Sequence, residues 1–442
     1  MSKKSAREVA LDALVAWQTG GVWSARKLSE AIERAELDKR DSALATYLCG
    51  GVIQNITLLD YHIAKYSSIK LKKLETRVLC ILRLGALQLL LSDTIPRNAA
   101  VNETVSLCRG KDRRSAGFVN AVLRAMTQIA DPYDIRESDP VRYLSIRYSH
   151  PEWICGELLS VLGRDKAVKV LEANNEAPPV TIQVNTLRTG TDDLRAELER
   201  EGVVAARHRF VPDCLDLTNV GAIERLDAYK KGLFWVQDAA SKLAVSALDP
   251  KPGDRILDAC SAPGGKSFAA AALAGGGAEI TSQDIHEGKL AFVREGALRL
   301  GMNLTVEQGD AREFKPELSG KFDKIICDVP CSGFGIIRKK PDIRFADENK
   351  IAKLPELQLA ILSNVSKYLA PGGTLLYSTC TWRDAENVSV VNEFLNNNGG
   401  FKLKSFELPG PVGSVPDGMV TLWPQNFAFD GFFICLMRKN NV

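Results

Sequence analysis

Two cysteines in the C-terminal half of the chain stand where a thiol could act as a nucleophile. Cys331 lies in the segment DVPCSG (328–333) and Cys380 in the segment YSTCT (377–381). Each segment follows an apolar run that predicts a strand, so both thiols should leave the same edge of a sheet. A thiolate there can add to an electron-poor carbon and leave again later. Three other cysteines lie within apolar runs and are predicted core residues: Cys49, Cys80 and Cys435.

A glycine-rich turn follows an earlier predicted strand. Residues 258–266 read DACSAPGGK. Such a turn lets a ligand approach the backbone and points amide N–H groups at an anionic group. The segment lacks the GxGxxG pattern of dinucleotide-binding enzymes and the first glycine of a P-loop, so it matches neither class. A tight turn that binds no ligand is the structural alternative.

Carboxylates end three predicted strands, at Asp258, Asp284 and Asp310. Open α/β sheets bind ligands in the crevice at the C-terminal ends of their strands. Asp284 could accept hydrogen bonds from both ribose hydroxyls of a nucleoside, and Asp310 could meet an adenine amino group. One such residue alone is more often a helix cap. The three in register predict a nucleoside cofactor such as S-adenosylmethionine.

A reactive thiol beside a methyl sulfonium fits methylation of cytosine. Carbon 5 of cytosine is a poor nucleophile, but addition of a thiolate to carbon 6 makes the ring enamine-like, and carbon 5 can then attack the methyl group. Asp328 is placed to stabilise that adduct at ring nitrogen N3. A second cysteine could assist release of the first.

At these residues the chain resembles the RNA cytosine-5 methyltransferases of the Nop2/NSUN/Sun family. In that family the Thr-Cys cysteine is the nucleophile, which implies Cys380, and the Pro-Cys cysteine assists release, which implies Cys331. DNA enzymes use the Pro-Cys cysteine, so the presence of both favours RNA. The resemblance implies S-adenosylmethionine as cofactor. The implied cofactor-binding residues are Cys260, Ser261, Ala262, Pro263, Gly264, Gly265, Lys266, Asp284, Asp310 and Asp328.

The elements that must position these residues form a predicted α/β domain. From about residue 240 onwards strands and helices alternate, which predicts a parallel sheet flanked by helices. The resemblance implies a Rossmann-like class I methyltransferase domain with a seven-stranded mixed sheet over residues 241–442.

Two smaller domains are predicted before it. Residues 1–130 show helical spacing and an excess of Lys and Arg, which predicts an all-α bundle. Segments 99–103 and 118–124 resemble the NusB-like RNA-binding domain of the family's bacterial RsmB (Fmu/Sun) branch. A solvated helical face would explain the charge as well. Residues 131–240 predict a small α+β domain, ferredoxin- or RRM-like.

Composition narrows the class further. The chain has 442 residues, 25% of them charged, and a net charge of +3, which are ordinary values for a globular protein. Neither a secretory signal nor an apolar run long enough for a membrane span is predicted, so a cytoplasmic protein is expected. Its 10 cysteines lack disulfide-framework spacing, and its 4 histidines lack metal-ligand spacing. We expect no metal and a monomer.

Three functions stay open at this level. The RsmB resemblance implies a cytosine in the decoding region of 16S ribosomal RNA, naked or in an early assembly particle. The same chemistry on transfer RNA or at another ribosomal site is the second. A non-catalytic RNA-binding assembly factor that keeps the cofactor fold is the third. Intact cysteine motifs disfavour the last of these.

Overall fold

The computed structural model describes residues 4–20, 25–218, 220–427 and 429–441. The chain forms two compact units. The first comprises the residues up to Asn175 together with Lys340–Phe345, and the second comprises Glu176–Lys339 and Ala346–Val442. Residues 131–175 therefore cluster with the helical unit, whereas the sequence predicts them in the α+β domain. The three-domain division itself stays a prediction.

The first unit is built from helices. Within the described residues they are α1 (Ala6–Gly20), α2 (Ala25–Arg34), α3 (Lys39–Tyr66), α4 (Thr76–Leu90), α5 (Arg97–Val105), α6 (Ala116–Met126), α7 (Pro140–Tyr148), α8 (Glu152–Leu162) and α9 (Arg164–Ala173). Helix α4 is central, because every residue from Cys80 to Leu89 is buried. A Cβ added at Gly85 would lie 2.6 Å from the Leu123 side chain, so glycine permits the close packing of α4 on α6.

Helix α3 is long and apolar enough to cross a membrane by length and composition alone. Its buried residues, such as Leu48, Val52 and Leu59, belong to the apolar core of the first unit. The helix contacts α1, α4 and α6 there. Packing in a helical core therefore accounts for its apolar composition.

A buried cation lies inside the first unit. The Arg344 side chain is fully buried, and its Nη1 donates to the carbonyl oxygens of Gln54 (2.9 Å) and Ser149 (2.8 Å), while Nη2 donates to Asn175 Oδ1 (3.0 Å). Burial lowers the pKa of Arg344 to about 9. Ser149 caps the C-terminus of α7, where the helix dipole favours positive charge.

The second unit begins with a small antiparallel sheet. Its strands are β1 (Val180–Val184), β2 (Val204–Arg207), β3 (Cys214–Thr218) and β4 (Phe234–Val236), in the order β2-β3-β1-β4. Helices α10 (Thr191–Arg200) and α11 (Asp227–Lys230) lie between strands in the chain. Alternate residues of β1, Ile182 and Val184, are buried in a core with Leu194 and Leu198 of α10.

The rest of the second unit alternates strands and helices. In chain order the elements are α12 (Ala239–Leu248), β5 (Arg255–Asp258), α13 (Gly265–Leu273), β6 (Glu279–Asp284), α14 (Glu287–Leu300), β7 (Thr305–Gln308), β8 (Phe322–Asp328), α15 (Glu348–Ile351), α16 (Leu354–Val365), β9 (Leu369–Thr379), α17 (Val388–Asn397), β10 (Phe401–Leu403), β11 (Phe406–Leu408), β12 (Gly413–Val415), β13 (Met419–Leu422), α18 (Pro424–Phe427) and β14 (Phe432–Lys439).

The main sheet has the strand order β10-β14-β9-β8-β5-β6-β7, and β13 also pairs with β14. Strands β5 to β9 are mutually parallel, whereas β14 runs antiparallel to β9. The mixed sheet is as predicted, but in the described part of the chain it has eight strands rather than seven. The short strands β10 and β13 both pair with β14, which explains the additional strand.

The two faces of this sheet are both covered by helices. Ile256 of β5 packs in a core with α12 and α13, and its neighbour Leu257 packs in a second core with α16 and α17. Such alternation is what a sheet buried on both faces requires. The strand order reverses between β5 and β8, and ligands of open α/β sheets bind at this kind of switch point.

Candidate active site

The two motif cysteines meet at the C-terminal edge of the main sheet. Strands β8 and β9 are parallel neighbours with Asp328 opposite Ser378, so the segments that follow them continue side by side. Gly335 N donates to the Cys380 carbonyl oxygen (2.9 Å), which joins the two segments. The sulfur atoms of Cys331 and Cys380 lie 3.2 Å apart. The structure thus brings together the two thiols that the sequence singles out.

The surroundings of Cys331 favour its protonated form. The hydrogen bond with Cys380, and after it burial, raises the pKa of Cys331 well above its usual range. The Cys331 thiol therefore keeps its proton. Burial also raises the pKa of Cys435 in the core and raises that of Cys80 to about 11. Both thiols are buried core residues, as the sequence predicts.

Asp328 ends β8 between two hydrogen-bond donors. Its Oδ2 accepts from Lys266 Nζ (2.6 Å) and its Oδ1 from Ser378 Oγ (2.7 Å). Burial opposes the charge on Lys266, but the neighbouring acidic groups, of which Asp328 contributes most, together raise the pKa of Lys266. The sequence predicts Lys266 in the cofactor loop, whereas the structure directs its amine to Asp328. The Asp328 side chain stays partly exposed, at 28%.

The glycine-rich turn connects β5 to α13 and is tied to the next strand. Ser261 N donates to the Gln283 carbonyl oxygen (2.7 Å), and Asp284 Oδ2 accepts from Ala262 N (3.3 Å). Gly264 has a φ of +108°, and a Cβ there would lie 2.5 Å from the Phe268 ring. This position therefore requires glycine. Pro263 lies in the turn, and Gly265 is the first residue of α13.

Asp258, at the end of β5, is a fully buried carboxyl group. Its Oδ2 accepts from Ser267 Oγ (2.7 Å), yet among the described residues its buried Oδ1 and the buried Ser261 Oγ have no hydrogen-bond partner. Burial raises the pKa of Asp258 to about 7. Buried polar atoms normally have partners. The turn therefore offers polar atoms to a ligand.

Asp310 and Cys260, two further predicted cofactor-binding residues, have different surroundings. Asp310 accepts from Arg312 Nε (2.9 Å), and the side-chain hydrogen bond from Arg312 lowers the pKa of the carboxyl. Cys260 is half-buried against the second core of the sheet, and burial raises the pKa of its thiol well above the usual range. Cys260 is thus unsuited to serve as a nucleophile.

Segments in both units of the chain match known protein families. Residues 4–128 match the NusB family, residues 150–224 match the RsmF/B-like ferredoxin-like methyltransferase domain, and residues 245–438 match the 16S rRNA methyltransferase RsmB/F model. A Bacillus subtilis (strain 168) protein named "Probable ribosomal RNA small subunit methyltransferase B" is 36% identical over 99% of this chain and 100% of its own length. The chain belongs to the RsmB/F methyltransferase family.

Further RsmB relatives and solved structures agree with this assignment. "Ribosomal RNA small subunit methyltransferase B" of Klebsiella pneumoniae (strain 342) is 32% identical over 92% of each chain. A methyltransferase homologue from Pyrococcus horikoshii superposes with a TM-score of 0.59 at 27% identity, over 69% of this chain and 100% of its own. Another crystal structure covers 98% of both chains with a TM-score of 0.80 at 25% identity. The RsmB/F resemblance and the NusB-like segment predicted from the sequence are therefore confirmed.

Sequence reasoning missed three buried polar residues beside the cysteines of this RsmB/F chain. They are Gln358, Glu386 and Asn387. Asn387 immediately precedes the apolar run of α17, so its sequence signal is that of a helix cap. Glu386 and Gln358 carry no motif signal, and only the fold brings them to Cys331.

Proposed function

We propose that the chain transfers a methyl group from S-adenosylmethionine to carbon 5 of a cytosine in 16S ribosomal RNA, through a transient bond between Cys380 and carbon 6. The observation that carries this proposal is the 3.2 Å distance between the sulfur atoms of Cys331 and Cys380, at the same sheet edge as the glycine-rich turn after β5. The names of the relatives, which are ribosomal RNA small subunit methyltransferases, support the substrate class.

The turn after β5 fits S-adenosylmethionine. Asp258 Oδ1 and Ser261 Oγ, which are buried and partnerless among the described residues, would meet its polar groups, and Asp284 at the end of β6 would hold its ribose. The backbone of Cys260, Ala262 and Gly264 would line the approach. When bound, this cofactor supplies an electrophilic methyl group.

Cys380 begins the reaction as a nucleophile. Its thiolate forms the S–C6 bond, and the electron pair of the ring double bond moves toward C5 and N3. Lys266 and Asp328 present a donor and an acceptor side by side, which suits the polar edge of cytosine. The Lys266 ammonium also attracts a thiolate at position 380, since the charge of Cys380 contributes to the raised pKa of Lys266.

In the release step, the bond between Cys380 and C6 breaks. After C5 takes the methyl group, a base removes the C5 proton, its electron pair restores the C5=C6 double bond, and Cys380 departs as a thiolate. Cys331 is the protonated neighbour of that sulfur, so it can stabilise the departing charge through its S–H group. The target cytosine must be unpaired or flipped out, because C6 of a stacked base is not accessible to a thiol.

The substrate is tested with unmodified RNA. We expect incubation with S-adenosylmethionine to place 5-methylcytosine at one position in 16S RNA, mapped by mass spectrometry. The Cys380→Ala variant serves as the inactive control. Methylation confined to transfer RNA or to the large ribosomal RNA would contradict the assignment to 16S RNA. Cofactor binding without any methyl transfer would instead favour the non-catalytic assembly factor.

Cofactor binding should weaken as the pH falls below about 7. The raised pKa means that Asp258 of the free protein holds a proton below about 7, although Lys266 nearby favours the charged form and Asp328 and Asp284 oppose it. If the ligand needs the carboxylate, binding releases this proton. Affinity then falls up to about tenfold for each pH unit below 7.

Calorimetry in two buffers of different ionisation enthalpy would measure the number of protons released when the cofactor binds. We expect one proton to be released per cofactor bound near pH 6, and almost none at pH 8. Asp258→Asn should bind more weakly at pH 8 and lose the pH dependence. An affinity that stays constant between pH 5.5 and 8, with no proton released, would show that Asp258 does not take part.

A further inference from the structure

Two consecutive residues, Glu386 and Asn387, lie at the base of both cysteine segments. Both are fully buried, and Asn387 directly precedes α17. Tyr377 Oη donates to the Glu386 carbonyl oxygen (2.6 Å), which ties this position to β9. A fully buried carboxylate is costly unless it is paired and hydrogen-bonded. The hydrogen bonds of the two side chains lead to the two cysteine segments.

The Glu386 carboxylate holds the segment around Cys331. Its Oε2 accepts from Ser332 N (2.9 Å) and from Gln358 Nε2 (3.0 Å). The same Gln358 nitrogen donates to the Pro330 carbonyl oxygen (2.9 Å). The peptide groups immediately before and after Cys331 are therefore both held by buried side chains, and Glu386 is bonded to each of them directly or through Gln358.

The second oxygen of the Glu386 carboxylate lies near a basic side chain. Arg383 Nη1 lies 3.8 Å from Glu386 Oε1, and that oxygen has no hydrogen-bond partner among the described residues. The negative charge of Glu386 is one of the causes that raise the pKa of Cys331. Glu386 thus acts on Cys331 in two ways, because it fixes the backbone and favours the protonated thiol.

The Asn387 side chain holds the segment around Cys380 in the same manner. Its Oδ1 accepts from Thr379 Oγ1 (2.7 Å), and its Nδ2 donates to the Thr381 carbonyl oxygen (3.0 Å). These are the residues on either side of Cys380. Ser332 Oγ also donates to Thr381 Oγ1 (2.9 Å), so the two segments are joined.

We propose that Glu386 and Asn387 are positioning residues, and that each of them positions one of the two thiols. Glu386, together with Gln358, places Cys331 for release, and Asn387 places Cys380 for attack on C6. Neither residue needs to touch the RNA or the cofactor. The inference rests on the proposed function, because it assigns the two cysteines to two successive steps.

Replacement of each residue should slow a different step. In Glu386→Ala, Cys380 still attacks but release is impaired, so turnover should fall about 100-fold while a covalent protein–RNA complex accumulates. In Asn387→Ala the attack itself is impaired, so turnover and covalent complex should fall together by a similar factor. A loss of stability alone would lower both readouts in both variants and would not raise the complex.

The assay follows methyl incorporation into 16S RNA and, in the same samples, the protein–RNA complex on denaturing gels. Glu386→Gln should recover much of the activity, since its side-chain oxygen can still accept from Ser332 N. Glu393→Ala, at an exposed position on α17, is the matched control and should behave as the wild type. Gln358→Leu should accumulate the complex as Glu386→Ala does, and it decides the matter if Glu386→Ala does not fold.

Two results would overturn the inference: wild-type turnover in both Glu386→Ala and Gln358→Leu, or equal losses of complex in these variants and in Asn387→Ala. The Cys380→Ala variant, assayed in parallel, distinguishes failure of the positioning roles from failure of the proposed function. If Cys380→Ala still methylates C5, the proposed function itself is wrong. If Cys380→Ala is inactive and the other variants do not differ, only the positioning roles are wrong.

Discussion

Cys380→Ala should lower methyl transfer to cytosine by a factor on the order of 10⁴ or more, because without the thiolate C5 has too little electron density to attack a methyl group. Folding and cofactor affinity should stay close to those of the wild type, since the Asp258 turn is a separate part of the sheet edge. Initial rates with labelled cofactor and unmodified 16S RNA measure the loss, and calorimetry measures the affinity.

The control for this variant is a cysteine outside the site. Cys155→Ala removes a thiol of α8 in the helical unit, where the thiol is buried. It should lower stability slightly and leave the rate per folded molecule unchanged. Residual transfer to C5 within tenfold of the wild type in Cys380→Ala would show that another group, or no covalent bond at all, activates the ring.

Cys331→Ala should behave differently, because attack remains possible and release is the step that slows. Turnover should fall by a factor on the order of 100 or more, and most of the protein should become covalently bound to RNA. Denaturing electrophoresis with labelled 16S RNA detects the complex as a slowly migrating band. The band should require the target cytosine and should disappear after proteolysis.

The double variant Cys331→Ala/Cys380→Ala identifies the bonded sulfur. It should form no complex, because the accumulating bond is made by Cys380. A complex of undiminished amount in the double variant would mean that a third nucleophile is involved. A Cys331→Ala variant that turns over like the wild type without a complex would remove Cys331 from the release step.

Much of the site follows from local sequence. Strands are predicted up to Asp258, Asp284 and Asp328, and each strand ends at that aspartate. Parallel strands bring such ends to one edge of a sheet. Cys380 follows β9 directly, and Cys331 lies shortly after the end of β8. The two thiols lie close together because these two strands are neighbours in the sheet.

Other parts depend on tertiary contacts that no local pattern encodes. Lys266 belongs by sequence to the cofactor turn, but its long side chain reaches Asp328 on another strand. Arg344 follows the Pro-Cys motif in the sequence, yet it is buried in the helical unit among backbone carbonyl oxygens. Glu386 and Gln358 come from separate segments and meet only around Cys331. From local sequence alone, neither Glu386 nor Gln358 differs from an ordinary polar residue.

The bond between Cys380 and the target cytosine can be captured directly. In 16S RNA carrying 5-fluorocytosine, fluorine replaces the C5 proton that release requires, so the adduct should persist after methyl transfer. Trypsin cleaves after Lys367 and Arg383, giving a peptide with Cys380 alone, whereas the peptide ending at Arg338 holds Cys327 and Cys331. We predict the methylated nucleotide on the Cys380 peptide. Its attachment to the Cys331 peptide, or RNA methylated at C5 elsewhere with no adduct at all, would contradict the account.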